Sequence, residues 1–264
     1  MNPEVLRETA TNLIGAYRTG KAIRSIRQHD AEPTLPDAYE IQREQLNRWS
    51  ADGESIRGFK VGLASVPAQK SLDATQPILG RLTGRMIHPE HQPLDTKEFI
   101  RPRIEPALAF VLRETLRGPG VNAADAIRAV DFVLPALEIS DSRIQDGPAN
   151  AAEMAADNAG CGGVVLGGHP VHLPAADLRL CGCVLYRNGE VAATGAGGMA
   201  LGSPLNALVW AANAAPAHGT PGSALEPGHL VIVPSLTTAV TAEPGDTVTT
   251  TIAGVGSVTA VLSR

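Results

Sequence analysis

The chain has 264 residues, of which 44% are hydrophobic and 19% are charged, a balance typical of a globular protein with a sizeable core. Its formal net charge of -5 argues against a surface that binds nucleic acid or an anionic membrane, since such surfaces need clustered Lys and Arg. The N-terminus carries acids and lacks an apolar signal core, and no apolar run is long enough to cross a bilayer, so we expect a cytoplasmic protein.

Two helices are predicted at the start of the chain. Apolar residues recur at helical spacing over residues 3–27, and Gly20 lies near a plausible end. A second helix is predicted to begin at Pro36 and to stop at Asp52-Gly53.

From residue 58 onward, short apolar stretches separated by Gly and Pro indicate many short strands. A later helix is predicted over Gly202–Ala214. Because helices come first and strands dominate later, the sequence predicts an α+β fold. We expect one domain over residues 1–264, with a helical part (1–57) packed on a β-rich body (58–264). The predicted strands are Ile104–Leu112, Phe132–Ile139, Leu180–Asn188, Leu230–Val233 and Val248–Ile252.

Three charged residues lie where the apolar pattern calls for hydrophobic ones. Lys60 is in the Gly-flanked stretch Gly58–Gly62, and Glu105 and Glu138 each lie inside a predicted strand. Buried charges are costly unless they are paired, so we expect all three to face one cavity and to converge on an ion or on one another. A buried Lys–Glu pair with a purely structural role is the alternative.

The two interpretations of Lys60 predict different behaviour. If the lysine serves chemistry, Lys60→Ala abolishes turnover and leaves the melting temperature largely intact. Equal loss of fold and activity favours the structural pair. The glycines that flank Lys60 are expected to let the backbone approach a ligand closely.

The other motifs give weaker evidence of a functional site. The three cysteines form neither a spaced disulfide framework nor a zinc ligand set. Gly195–Gly198 lacks the surroundings of a dinucleotide site, and the proline in His88–His91 breaks any helix that could align two metal ligands. Ser203 and Ser235 lack the partners of a hydrolase triad. Asp141–Arg143 fits a structural ion pair or a contact to a substrate carboxylate.

A series of motifs in fixed order, from about residue 35 to the end, resembles the fumarylacetoacetate hydrolase-like superfamily. Within it, the resemblance is to the 2-keto-4-pentenoate hydratase and 4-oxalocrotonate decarboxylase family. No single motif is specific, and the order over most of the chain carries the resemblance. The motifs are Gly58–Ser65, Pro102–Glu105, Leu108–Leu112, Gly118–Val121, Pro135–Ile139, Asp141–Arg143, Ala156–Ala159, Gly195–Gly197, Leu201–Pro204, Trp210–Asn213 and Pro244–Asp246.

The resemblance implies a β-rich roll and a homo-oligomer that can form a complex with a sister pathway enzyme. It implies a small-molecule substrate, a 2-oxo or 2-hydroxy dienoic acid from aromatic meta-cleavage catabolism. It further implies that Lys60 is catalytic and that Glu105 and Glu138 bind Mg²⁺ or another divalent cation. The substrate-binding positions it implies are Ser65, Arg143, Asp157 and Ser235.

The chain departs from the family pattern at several positions. Members typically present Glu-x-Glu on the metal strand, whereas here Glu105 is followed by Ala107, so we expect weaker metal binding. Ile78 stands where hydratases tend to have an acid, Gly160 where Ser is common, and no basic residue is found near Asn150.

Several functions therefore stay open. Asp141–Arg143, Gly202–Pro204 and Trp210 favour a hydratase acting on 2-hydroxypenta-2,4-dienoate or a related acid, while Ile78 and Thr237–Val240 favour a decarboxylase of the 4-oxalocrotonate type. Ala107, Gly160 and Asn150 together favour a partner subunit that has lost catalysis. A repurposed lyase or isomerase is the fourth interpretation.

Overall fold

The computed structural model describes residues 1–26, 32–218 and 223–264. Over these residues the helices are α1 (Pro3–Thr19), α2 (Leu35–Ala51), α3 (Val66–Ser71), α4 (Ala123–Ala129), α5 (Ala151–Ala156) and α6 (Pro204–Ala214). The strands are β1 (Ile56–Gly62), β2 (Ile78–Thr83), β3 (Ile87–Pro89), β4 (Pro93–Leu94), β5 (Arg103–Leu112), β6 (Val130–Ser140), β7 (Cys161–Leu166), β8 (Gly182–Arg187), β9 (Glu190–Ala196), β10 (Leu230–Val233), β11 (Val240–Thr241), β12 (Thr247–Ile252) and β13 (Gly256–Leu262).

Capping residues set the end of α1 and the start of α2. The helix predicted over residues 3–27 stops at Thr19, because Gly20 adopts a left-handed conformation and its N–H bonds to the Ala16 carbonyl. Residue 27 lies outside the described ranges. Helix α2 follows Thr34, whose side chain exchanges hydrogen bonds with Asp37 in a capping box.

Two sheets form the β-rich body. The larger one has the strand order β2-β1-β10-β5-β6-β7-β3, with β11 added to β5. It curls so that β2 comes back towards β7. The smaller sheet has the order β4-β13-β12-β8-β9. An apolar layer that includes Ile104, Leu137 and Val258 joins the two sheets.

The main core crosses from the helices into the body. Leu13 of α1, Ile41 of α2, Phe59 of β1 and Leu208 of α6 belong to one buried cluster. Full burial of each such side chain contributes about 1.5–3 kcal/mol. A second apolar cluster, which includes Ala107, lies on the face of the larger sheet that carries the candidate site.

The predicted α+β class is confirmed, with helices first and a β-rich body after them. All five predicted strands agree with the observed ones to within two residues at either end, and Leu180–Asn188 is shortened at both ends to β8 because a turn runs up to Leu180. No helix within the described ranges is long and apolar enough to span a membrane.

Candidate active site

Lys60 lies in β1 between β2 and β10, and its side chain is buried. The glycines on either side of Lys60 were expected to let a ligand approach the backbone closely. Neighbouring segments of the protein occupy the space beside them instead. A Cβ at Gly58 would lie 2.0 Å from the Leu230 carbonyl oxygen, and one at Gly62 would lie 3.0 Å from the Ala159 Cβ. The glycines therefore let neighbouring backbone pack tightly around Lys60.

Glu105 and Glu138 face each other across β5 and β6. They are direct partners in the antiparallel register, so their Cβ atoms are about 4.5–5.5 Å apart. Both side chains lie on the sheet face that also carries Ala107 and Ala136, the next pair of the same ladder. The register thus brings two carboxyl groups together on an otherwise apolar surface.

The Lys60 ammonium bridges this acid pair to a tight turn. It forms an ion pair with Glu138, and its Nζ donates a hydrogen bond to the Ala159 carbonyl at 2.8 Å. Asn158, Ala159 and Gly160 have φ values of 51°, 55° and 67°. For the two residues that are not glycine, this conformation costs about 1–2 kcal/mol each. The strained turn presents a carbonyl oxygen to Lys60.

The charges of the three groups depend on one another. Burial alone would lower the pKa of Lys60, but the neighbouring Glu138 and Glu105 carboxylates outweigh it and raise the pKa above its ordinary value. Burial, together with the negative charge of Glu138, raises the pKa of Glu105 from 4.5 to about 8. Burial also raises the pKa of Glu138, although the Lys60 ammonium acts against it. The buried site therefore disfavours two negative charges at once.

The two acids form a donor set that suits a hard divalent cation. Glu138 Oε2 is buried and accepts no hydrogen bond from any described residue. Mg²⁺ is commonly bound by one or two carboxylates and keeps several waters. Within the described ranges, no group of three or more His, Cys, Asp or Glu residues is arranged to hold a metal ion. The chemistry of the two residues suits a divalent cation, which Glu105 and Glu138 would hold together with water.

Ser65 and Ser235, the two serines expected to contact the substrate, lie in different parts of the structure. The Ser235 backbone N–H donates to Glu105 Oε2 at 3.1 Å, so this residue touches the acid pair through its main chain. Ser65 follows β1 and caps α3, where its side chain accepts a weak hydrogen bond of 3.4 Å from the Ala68 N–H. Both remain proposals as substrate contacts.

Arg143 and Asp157 form a buried ion pair of their own. Arg143 Nε donates to Asp157 Oδ1 at 2.6 Å, and each side chain is only 1% exposed. The Arg143 guanidinium also stacks on the Tyr17 ring at 4.2 Å. The carboxylate of Asp157 raises the pKa of Arg143 in spite of its burial, so the arginine stays charged. This geometry favours a role in supporting the strained turn over direct contact with substrate.

Sequence reasoning missed two residues beside the cluster. The Ala159 carbonyl contributes through its backbone, for which an alanine gives no signal. Cys161 begins β7, and burial raises the pKa of its thiol to about 11. Its carbonyl accepts hydrogen bonds from Tyr17 at 2.8 Å and from Arg143 at 3.2 Å. An isolated cysteine in an apolar strand gives no sign of these contacts.

Replacing Glu105 by Gln should stabilise the protein increasingly as the pH rises from 5 to 8.5. In this range the unfolded chain ionises Glu105 while the folded chain keeps the proton, because its folded pKa is about 8, so the wild type loses stability. We expect the variant to melt at a higher temperature than the wild type at pH 8.5, by about 2–4 °C for each kcal/mol of stability that the wild type loses.

Calorimetric melting curves from pH 5 to 9 would measure the gap between the two proteins. Glu190→Gln on β9 is the matched control, because Glu190 is exposed and should show no such trend. A wild type as stable as Glu105→Gln at pH 8.5 would contradict the raised pKa.

The chain is similar to known enzymes over most of its length. Residues 60–263 match the fumarylacetoacetate (FAA) hydrolase C-terminal family. The chain is 36% identical over 258 residues to the 2-keto-4-pentenoate hydratase of Paraburkholderia xenovorans (strain LB400), which covers 98% of this chain and 95% of that relative. It is 35% identical over 255 residues to the 2-oxo-hept-4-ene-1,7-dioate hydratase of Escherichia coli, covering 94% of each.

A solved structure agrees closely with the fold. The 4-oxalocrotonate decarboxylase from Pseudomonas putida G7, complexed with magnesium and adipate, superposes with a TM-score of 0.94 at 32% identity, covering 99% of this chain and 98% of that one. The chain therefore belongs to the fumarylacetoacetate hydrolase family of enzymes, alongside relatives that are 2-keto-4-pentenoate hydratases and a 4-oxalocrotonate decarboxylase.

Proposed function

We propose that this protein is a lyase of the hydratase type that acts on 2-hydroxypenta-2,4-dienoate or a related short unsaturated 2-oxo acid in aromatic meta-cleavage catabolism. The observation that carries the proposal is the buried cluster of Lys60, Glu105 and Glu138 in a chain of this family. A buried ammonium beside two carboxyl groups is suited to moving protons on a small anionic substrate.

We further propose that Glu105 and Glu138 hold Mg²⁺ or another divalent cation. Two observations support this: Oε2 of Glu138 accepts no hydrogen bond from a described residue, and the pKa of Glu105 is raised. A bound cation would interact with that oxygen and would lower the pKa of Glu105. A bound cation would orient the carboxylate and the 2-oxygen of the substrate and withdraw electrons from its conjugated chain. With Ala107 in place of a third acid, we expect the affinity to be modest.

Hydration of 2-hydroxypenta-2,4-dienoate moves two protons, one from the 2-hydroxyl to C5 and one from water to C3. The 2-hydroxyl loses its proton, C5 gains one to give the conjugated ketone, and water then adds a hydroxyl to C4 and a hydrogen to C3. Lys60 is protonated at neutral pH, and two of its three N–H groups are directed to Glu138 and the Ala159 carbonyl. The third is available to hold or deliver a proton at the substrate.

The purified protein should consume 2-hydroxypenta-2,4-dienoate in the presence of Mg²⁺ and lose this activity when the metal is chelated. The loss of dienol absorbance follows the reaction, and mass spectrometry should find one water added. Failure to consume this acid, 2-oxohept-4-ene-1,7-dioate and 4-oxalocrotonate alike would contradict the proposal.

Decarboxylation is the second candidate, and Ile78 favours it. Ile78 is fully buried and pairs with Gly62 at the end of β1, so this position offers no acid to activate water. In decarboxylation of 4-oxalocrotonate the C5–C6 bond breaks and CO₂ leaves. The electrons of that bond move through the conjugated system of the substrate, and the oxygen on C2 takes up a proton. No water is needed. Release of CO₂ from 4-oxalocrotonate would identify this activity.

The proposal also includes a homo-oligomer and association with a sister pathway enzyme. Val66, Leu180 and Val191 are large apolar side chains that are exposed in the single chain, and association of copies could bury some of them. Light scattering of the purified protein tests the oligomer.

A further inference from the structure

The carbonyl that binds Lys60 belongs to a short segment, residues 155–161, which runs from the end of α5 to the start of β7. Every residue of this segment is buried, and it includes the strained turn Asn158–Gly160. A backbone in such a conformation persists only where its surroundings hold it. The groups that hold the segment therefore set the position of the Ala159 carbonyl relative to Lys60.

Side chains of the two N-terminal helices bind the backbone of this segment through its carbonyl groups. The contacts are Gln42 Nε2 to the Ala155 carbonyl at 3.0 Å, Gln45 Nε2 to the Ala156 carbonyl at 2.8 Å and the Tyr17 hydroxyl to the Cys161 carbonyl at 2.8 Å. Both glutamines are fully buried. The helices precede residues 60–263, the part of the chain that matches the family, yet they hold the backbone that Lys60 contacts.

Tyr17 binds the segment at the point where it enters β7. The Tyr17 ring packs edge-on against Trp49 of α2, with 5.5 Å between the ring centroids, and the Arg143 guanidinium lies 4.2 Å from the Tyr17 ring. Arg143 also donates to the Cys161 carbonyl at 3.2 Å and to the Asp157 carbonyl at 2.9 Å. Burial raises the pKa of the Tyr17 hydroxyl, so the group stays protonated and donates to Cys161. Tyr17 is therefore fixed by its neighbours while it holds the end of the segment.

The turn is also tied to the strand beside Lys60. The Asn158 side chain accepts the Arg81 backbone N–H at 2.7 Å and donates to the Arg81 carbonyl at 2.9 Å. Arg81 lies in β2, the strand that pairs with β1. A Cβ at Gly80 would lie 2.5 Å from the Asn158 carbonyl oxygen, so the turn and β2 are in direct contact. The turn is thus held from the strand side as well as from the helices.

We propose that Tyr17 is a positioning residue for Lys60: by holding the Cys161 carbonyl, it keeps the Ala159 carbonyl where it directs the ammonium towards the acid pair. This inference rests on the proposed function, because it gives α1 a part in the same reaction. Of the three N–H groups of Lys60, one is directed to Ala159 and one to Glu138, and together these contacts set the direction of the third. If the Ala159 carbonyl moves, the ammonium turns and the third N–H no longer points at the substrate.

Tyr17→Phe tests the role in turnover, because it removes the hydroxyl and keeps the ring against Trp49 and Arg143. We expect kcat to fall about tenfold for the acid that the wild type consumes, since a misplacement of about 1 Å can cost up to about 10²-fold. KM should not change, because the variant removes no contact with the substrate. In the Lys60→Met background, Tyr17→Phe should not lower the residual turnover further, because the ammonium that it positions is gone.

Nuclear magnetic resonance can observe the Lys60 ammonium directly, independently of any reaction. Lys21, Lys70 and Lys97 are exposed, so their ammonium hydrogens exchange rapidly with water. In protein that contains ¹⁵N-labelled lysine, the persistent ammonium signal should therefore come from the buried Lys60. Its hydrogens should exchange with water roughly fivefold faster in Tyr17→Phe than in the wild type, which corresponds to ~1 kcal/mol.

Tyr39→Phe is the matched control. Tyr39 is a buried tyrosine of α2, and its hydroxyl accepts the Leu79 N–H of β2 at 3.0 Å, outside residues 155–161. The substitution makes the same chemical change at another contact between a helix and a strand. It should leave kcat and the exchange of the Lys60 ammonium hydrogens unchanged.

The positioning role is overturned if Tyr17→Phe keeps the wild-type kcat or the wild-type exchange rate, or if Tyr39→Phe changes both as strongly. It is also overturned if Tyr17→Phe lowers turnover by the same factor with and without Lys60. A wild type that turns over none of the acids would instead overturn the proposed function. The exchange rates would then still decide whether Tyr17 positions Lys60.

Discussion

Lys60→Met should reduce turnover about 10²–10⁴-fold, the usual contribution of a positioned acid or base, and should also destabilise the protein. The sequence alone led us to expect a variant at Lys60 that melts normally. The structure changes this expectation, because the lysine is ion-paired with the buried Glu138. Removing one partner of a buried pair typically costs about 3–5 kcal/mol, since the other charge is left uncompensated.

The double variant Lys60→Met/Glu138→Gln separates the two effects. It removes both charges, so most of the lost stability should return while turnover stays low. Stability is measured by denaturant unfolding and turnover by the loss of dienol absorbance. If the double variant regains activity together with stability, Lys60 has a structural role only.

The destabilisation by Lys60→Met should also depend on pH. Burial already raises the pKa of Glu138, and the Lys60 ammonium acts against this rise. Without the ammonium the pKa rises further, so the carboxyl group takes up a proton more readily as the solution becomes acidic. The unfolding free energy of Lys60→Met should therefore approach that of the wild type towards pH 5 and fall away as the pH rises. A deficit that does not change with pH would indicate lost packing.

The sequence pattern predicts part of the candidate site because burial of charge is costly. Two acids and a lysine inside apolar strands could be expected to meet, and the β5–β6 register places Glu105 directly opposite Glu138. Strand alternation also predicts that Ala107 shares their face. These inferences need only a period of two and the location of each strand.

Contacts that depend on backbone conformation or distant pairing could not be predicted. Ala159 adopts a left-handed conformation that its sequence does not favour, yet its carbonyl holds Lys60. The sequence left Arg143 open between two roles, because its partner Asp157 is 14 residues away across a helix.

Some strands were missed for related reasons. β7 contains two glycines in six residues, and the exposed edge strand β9 has few large apolar side chains. Both are stabilised by their neighbours in the sheets, which a local pattern does not show. The end of α1 had a visible signal in Gly20, and the prediction to residue 27 gave too much weight to the apolar spacing beyond it.

Ala107→Glu should tighten Mg²⁺ binding by at least tenfold, or ~1.4 kcal/mol. Ala107 is the next residue after Glu105 on the same face of β5 and lies opposite Ala136, so a carboxylate there points towards the same cation. The wild type, with two acids, should release its metal during purification. Titration calorimetry at pH 8.5, where Glu105 is ionised, measures both affinities.

The same variant should be less stable than the wild type when Mg²⁺ is absent. Ala107 is fully buried in the apolar cluster of this face, and inserting a longer side chain typically costs about 1–3 kcal/mol. Added Mg²⁺ should therefore raise the melting temperature of Ala107→Glu more than that of the wild type. Ala107→Gln is the matched control, because it has the same length without the charge and should gain little from the metal. If Ala107→Glu binds no more tightly than Ala107→Gln, or if the wild type already carries one tightly bound metal ion, then another group supplies the third ligand and Ala107 does not face the cation.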